Sequence, residues 1–184
     1  MTLHADALAL LEGWAAPSPE QELLREQYAA HLRSHPDGLS RSCLPDHVTA
    51  STLVLSPDAE QVLLTLHAKA QRWFQFGGHV EPGDGTLAAA ALREVTEESG
   101  LDGLVLDPVP VHLDVHEVPC CGGPGTWHLD VRFLAVAEPG SGHTVSDESH
   151  DVRWWPAARL PSDEPSLLEL VDLGRERLLG GRAG

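Results

Sequence analysis

Basic residues are scarce in this chain: 12 Lys and Arg stand against 28 Asp and Glu, giving a formal charge of −16 at pH 7 with histidine neutral. So acidic a composition excludes binding to nucleic acid or to an anionic membrane through general positive charge. It does not exclude an anionic small molecule, because a bound cation reverses the field locally. Cysteine is rarer still, with three in 184 residues, which excludes a disulfide framework. Cys120 and Cys121 adjoin in the Gly/Pro-rich stretch PCCGGPG. They read as loop thiols of a reducing compartment in preference to a zinc site completed by His112, His116 or His128. No apolar run approaches the roughly 20 residues needed to span a bilayer. The N-terminus, MTLHADALALLEGW, lacks the basic start of a signal peptide, so a cytoplasmic location is expected.

What is present is enough apolar sequence, 42% of residues, to bury the core of one domain with an added segment. Residues 3–14 and 18–34 read as two helices around a Pro-containing turn. Ser18-Pro19-Glu20-Gln21 has the form of a capping box, and Leu24, Tyr28 and Leu32 make one apolar ridge. Residues 35–45 look like a connector. This front segment, residues 1–45, is expected to cover the main domain, to pair two subunits as a homodimer, or to shape specificity. From residue 46 onward strand signals dominate: VTASTLVLS and QVLLTLHA flank the turn at Pro57-Asp58, and Arg72–Phe76 leads into a glycine pair. Further strands are expected in LVLDPVPVHLDVHEV, WHLDVRFLAVA and VRWWP, with a closing helix over 166–179. This order predicts an α/β sandwich with a mixed sheet over residues 46–184.

Most of the chemistry lies between Gly77 and Leu101. Glu94, Glu97 and Glu98 fall at i, i+3 and i+4, so a helix would carry all three carboxylates on one face. Ala90 and Ala91 lie on that face one turn earlier, leaving room for a bulky metal-bound ligand, while Ala88, Leu92 and Val95 form the expected core stripe. Clustered like charges destabilise a bare helix, and a hard divalent cation such as Mg²⁺ or Mn²⁺ reverses that penalty. Pro82-Gly83-Asp84-Gly85 makes a turn, and either Asp84 or Thr86 can cap the helix. Arg93 can orient the carboxylates by bidentate hydrogen bonds. Gly78 would let a backbone carbonyl approach a metal.

These residues resemble the Nudix hydrolase signature, G-x5-E-x7-R-E-U-x-E-E-x-G-U with U a bulky aliphatic. Arg93, Glu94, Val95, Glu97, Glu98, Gly100 and Leu101 match every specified position of its second half. The first half departs. With one extra residue in the turn, Gly78 takes the place of the glycine and Asp84 that of the glutamate. The resemblance implies a Nudix-type α/β/α sandwich with an N-terminal helical addition. It also implies Mg²⁺ or Mn²⁺ held by Gly78, Glu94, Glu97 and Glu98, with Arg93 orienting the carboxylates. The implied reaction is hydrolysis of a nucleoside diphosphate linked to another group, by water attack at phosphorus.

Secondary candidates follow from position. Glu98 is one general-base candidate. Glu148, in SDESHD ahead of the VRWWP strand, is another catalytic acid by analogy with relatives that draw one from this loop. His79, next to Gly78, and Arg72 are candidate substrate contacts, with Lys69 and Arg132 as other nearby cations. His112 and His116 share strand parity and are expected to face one side. Trp73, Phe74 and Phe76 are read as core in preference to a base-stacking surface. The competing function is a nucleotide-binding sensor of the same fold without turnover. Isomerase chemistry lacks a cysteine–glutamate pair to carry it.

Overall fold

The computed structural model describes residues 2–68, 70–118, 123, 125–138 and 149–181. Its elements run α1 (Leu3–Gly13), α2 (Pro19–Ser34), β1 (Asp46–Leu55), β2 (Gln61–His67), β3 (Arg72–Phe74), β4 (Phe76–His79), α3 (Leu87–Ser99), β5 (Val105–Glu117), β6 (Trp127–Val136), β7 (Ser149–Pro156) and α4 (Pro165–Gly180). The seven strands form one mixed sheet ordered β3-β2-β1-β6-β5, with β4 also pairing β1 and β7 also pairing β2. The expected α/β/α sandwich is the one observed. No helix among the described residues is long and apolar enough to cross a membrane.

Alternation along β1 decides what each face of the sheet meets. Val48, Ala50, Thr52 and Val54 face one way, and His47, Thr49, Ser51, Leu53 and Leu55 the other. The first set packs under α3, with Val48 and Ala50 against Leu87, Ala90 and Ala91, and Val54 against Phe76 and Val95. Leu53 and Leu55 pack with Leu167, Leu170 and Val171 of α4. The rest of that second face, beyond α4, is polar. The segment Arg72–Phe76 is two short strands rather than one: β3 pairs β2 and β4 pairs β1. Phe76 is completely buried, and Trp73 meets Trp155 edge-on at 5.2 Å.

The front helices share the main core. Ala7, Leu11, Trp14, Tyr28 and Leu32 pack with Leu113, Leu129 and Phe133 of the sheet. Half of the Ser18 capping box forms, the hydroxyl accepting from the Gln21 N–H at 3.3 Å. The other half does not, because the Gln21 amide is used elsewhere. It donates to the Leu113 carbonyl at 3.0 Å and accepts from the Leu113 N–H at 2.7 Å. Trp14 Nε1 and the Tyr28 hydroxyl donate to the carbonyls of Pro110 and Asp114 in the same strand, at 2.7 and 2.6 Å.

Gly77 is where β4 crosses closest to β1. A Cβ there would lie 2.3 Å from Ser51 Cβ and 2.8 Å from the Ala50 carbonyl, whereas one at Gly85 meets nothing within 4 Å. Gly77→Ala is therefore expected to cost about 2–3 kcal/mol or more through overpacking against backbone, and Gly85→Ala less than about 0.5 kcal/mol. Chemical denaturation of the two variants checks this, and equal midpoints would refute it.

Candidate active site

Helix α3 begins at Thr86, whose hydroxyl accepts from the Ala89 N–H at 3.0 Å, and ends at Gly100 in the left-handed conformation. With Thr86 as the cap, Asp84 is released for another task. Its carboxylate accepts from Arg93 Nε and Nη2, both at 3.0 Å, and from the Glu81 N–H at 2.8 Å. The same guanidinium donates to Glu94 Oε1 at 2.9 Å, to Glu97 Oε2 at 3.2 Å and to the His79 carbonyl at 3.0 Å. Arg93 thus joins the end of β4, the turn and the helix through one planar fork, a geometry that lysine cannot supply.

Three carboxylates, from Asp84, Glu94 and Glu97, bond this guanidinium, and Glu98 follows on the same helix. Their placement differs. The side chains of Asp84 and Glu94 are only 7% and 15% exposed, whereas that of Glu97 is 62% exposed and reaches solution. Glu98 Oε2 accepts from the Gly77 N–H at 3.3 Å. Glu94 lies directly over Gly78, where a Cβ would sit 2.7 Å from Oε2, so any side chain there would displace the Glu94 carboxylate. Burial pushes the Asp84 carboxyl up, but the Arg93 fork and the Glu81 N–H outweigh it and hold the pKa below the usual value. Arg93 is raised in return, chiefly by the hydrogen bond to Asp84.

Ala90 and Ala91 are fully buried against the sheet and line no open space, contrary to the expectation for them. Their small size serves close packing instead, letting Thr52 Oγ1 donate to the Ala91 carbonyl at 3.0 Å. The core face of α3 is centred on Leu87, Ala91 and Val95, with Glu94 and Glu98 at its border.

Other expected site residues lie apart from this cluster. Arg72, on β3, is exposed and pairs with Glu164 at 3.4 Å. Arg132 is buried in an ion network and does not offer itself to solution. It donates to Asp130 at 2.9 Å and to Asp114 at 2.7 Å, while Ser51 and Thr49 donate to Asp130 at 2.7 and 3.1 Å. His116 bonds Asp114 at 2.9 Å, and His112 lies 3.4 Å from Glu169 of α4, so the two histidines do share a face. Glu148, Lys69, Cys120 and Cys121 lie outside the described residues.

His79 turns its ring to the face of β4 opposite Gly78. It stacks on His47 at 5.2 Å, and both rings meet His128, at 5.0 and 4.8 Å. Burial lowers the pKa of His79 to about 4 and that of His128 to about 3, and pushes His47 down as well, so the three rings are neutral at pH 7. The signal for this polar face was period-two alternation of His47-x-Thr49-x-Ser51, His112-x-Asp114-x-His116 and His128-x-Asp130-x-Arg132 in otherwise apolar strands.

The family model for the NUDIX domain matches residues 45–173. The chain belongs to the NUDIX family. As a member it is a hydrolase, of a family whose general reaction cleaves pyrophosphate linkages. None of the curated proteins matches the sequence. Among solved structures, a NUDIX-family hydrolase from Clostridium perfringens is similar at 24% identity and a TM-score of 0.56, over 72% of this chain and 95% of that one. An Ap4A hydrolase from C. elegans, in a binary complex, gives 20% identity and a TM-score of 0.61 over 72% and 98%. The NUDIX domain of Shewanella oneidensis NrtR, complexed with ADP ribose, gives 20% and 0.57 over 82% and 97%. At these identities the similarity is one of fold.

Two predictions test the electrostatics. Arg93→Lys is expected to keep the Nudix fold but to free the turn, so that the Glu81 amide exchanges with deuterium at least about tenfold faster, an opening free energy lower by about 1.4 kcal/mol or more. Unchanged exchange would refute the clamp. For Asp114, burial raises the pKa, but the His116 hydrogen bond and the Arg132 charge outweigh it and hold it at about 2. A depressed carboxylate stabilises the fold above its unfolded pKa and loses that contribution as pH falls from near 4 toward 2. Asp114→Asn should cost about 2–3 kcal/mol at neutral pH, with the difference from wild type shrinking over that acid range. Denaturant melts at several pH values measure it.

Proposed function

We propose that the chain is a Mg²⁺- or Mn²⁺-dependent pyrophosphohydrolase of a nucleoside diphosphate linked to another group, cleaved by water attack at phosphorus. The observation that carries this reading is the convergence of three carboxylates, from Asp84, Glu94 and Glu97, on one guanidinium beside Gly78, with Glu98 held next to them by the Gly77 N–H. The donors there are all oxygen and carry excess negative charge, which suits a hard cation. Glu94, Glu97, Glu98 and the Gly78 carbonyl are the residues that would hold it. Bound there, the cation would neutralise the pyrophosphate and lower the pKa of water.

The chain's own residues supply the rest. Arg93 holds Asp84, Glu94 and Glu97 in place, taking both oxygens of Asp84 and one each of Glu94 and Glu97. Glu97 faces solution, and Glu98, steadied by the Gly77 N–H, is the proposed base for the attacking water. Glu148, which precedes β7 in sequence, is proposed as a further acid. Arg72, exposed on β3, can exchange Glu164 for a substrate phosphate. The His79 ring faces other imidazoles and is not proposed as a phosphate contact. Similarity to an Ap4A hydrolase and to a domain complexed with ADP ribose supports a nucleotide derivative as substrate.

A metal-supplemented screen over nucleotide sugars, ADP-ribose, dinucleoside polyphosphates and nucleoside triphosphates should yield turnover that chelation abolishes. Glu97→Gln and Glu98→Gln should each lower kcat on the order of 10²–10³-fold with the fold retained, the size of effect seen when one preorganised charge-stabilising group is lost. Full turnover in both variants would overturn the assignment. Ligand binding without product anywhere in the screen would replace hydrolysis with recognition.

A further inference from the structure

The carboxylate cluster offers only oxygen. A few residues away, on the opposite face of β4, the sheet builds a second cluster that offers only nitrogen. His47 of β1 is the cross-strand partner of His128 on β6, and His79 of β4 pairs with Thr49, two residues along β1 from His47. All three rings therefore project from the same face of three adjacent strands. The Nε2 atoms of His47, His79 and His128 are each buried and without a hydrogen-bond partner. One ligand atom from each of the three lies within 4.8 Å of the others.

Buried polar atoms are ordinarily paired, and three unpaired ring nitrogens gathered on one face of the sheet call for a common partner. The tautomer of His47 indicates which kind. Its Nδ1 lies 3.2 Å from the Cys43 carbonyl, and a carbonyl only accepts, so Nδ1 carries the proton. The neutral ring then presents a bare lone pair at Nε2, an arrangement in which a backbone carbonyl orients a metal-binding imidazole. The rings are spaced to match. With a Zn–N distance of about 2.0–2.1 Å, ring centres around a tetrahedral ion stand about 5.2 Å apart. The observed separations are 4.8, 5.0 and 5.2 Å.

We propose that His47, His79 and His128 form a second metal site, selective for a borderline transition ion such as Zn²⁺. Nitrogen ligands separate it chemically from the hard-cation cluster. The ion would tie β1, β4 and β6 together at the residue whose carbonyl receives Arg93, so it would fix the strand end from which the Gly78 carbonyl is presented.

The test uses the full chain, stripped by chelation and then dialysed with Zn²⁺ in excess Mg²⁺. One equivalent of zinc should be retained by elemental analysis. His47→Gln and His128→Gln should each weaken zinc binding at least tenfold, while a Glu97→Gln/Glu98→Gln double variant and a Cys120→Ser/Cys121→Ser double variant retain it. Zinc should raise the Tm of wild type but not of His128→Gln. Should the histidine variants fail to fold, Co²⁺ in the wild-type chain decides. Visible ligand-field bands without thiolate charge transfer support the three imidazoles, and thiolate bands, or no bands, overturn them. Failure to retain zinc, undiminished binding in both histidine variants, or loss of zinc in the cysteine variant would also overturn the proposal. None of these readouts depends on hydrolysis.

Discussion

One guanidinium organises the acidic cluster around helix α3. Arg93 bonds the turn through Asp84, the helix through Glu94 and Glu97, and the strand through the His79 carbonyl. Without it, mutually repelling carboxylates would have to hold one another at the mouth of α3. With it, their charges are partly balanced and their positions set, leaving an excess of negative charge that favours a cation. Three elements adjacent in sequence but separate in space become one rigid unit.

The sheet beneath carries a second division, between its two faces. One face is apolar throughout its middle and meets α3 and the front helices. The other is apolar only under α4 and becomes a polar field of His47, Thr49, Ser51, Asp130 and Arg132. Buried charge at this density is tolerated because Asp130 accepts from Thr49, Ser51 and Arg132, and Asp114 from Arg132 and His116. The imidazoles beside it are the exception, which is what makes them informative.

How much of this was legible in the sequence varies with the range of the interaction. Helix caps, the carboxylate spacing and the strand alternation are local, so Ser18, the choice between Asp84 and Thr86, and the Glu94–Glu98 spacing could be read from neighbours a few residues away. The role of Gln21 was not legible, because its partner Leu113 lies 92 residues on. Ala90 and Ala91 were misplaced because a helical wheel fixes which residues share a face but not where the sheet presses. The His47–His79–His128 cluster needed strand register, which mixes a parallel and an antiparallel pairing and has no short-range signature.

Strand β5 ends the sheet on one side, and a terminal strand ordinarily shows a row of unpaired amides and carbonyls. Here the Gln21 amide satisfies both backbone groups of Leu113 as a neighbouring strand would, and Trp14 and Tyr28 occupy carbonyls on either side. The front helices therefore act as a selvage on the woven sheet. Their side chains finish the border that would otherwise unravel into pairing with other molecules, so solubility and folding of this chain are bound up with a segment that stands outside its catalytic motif.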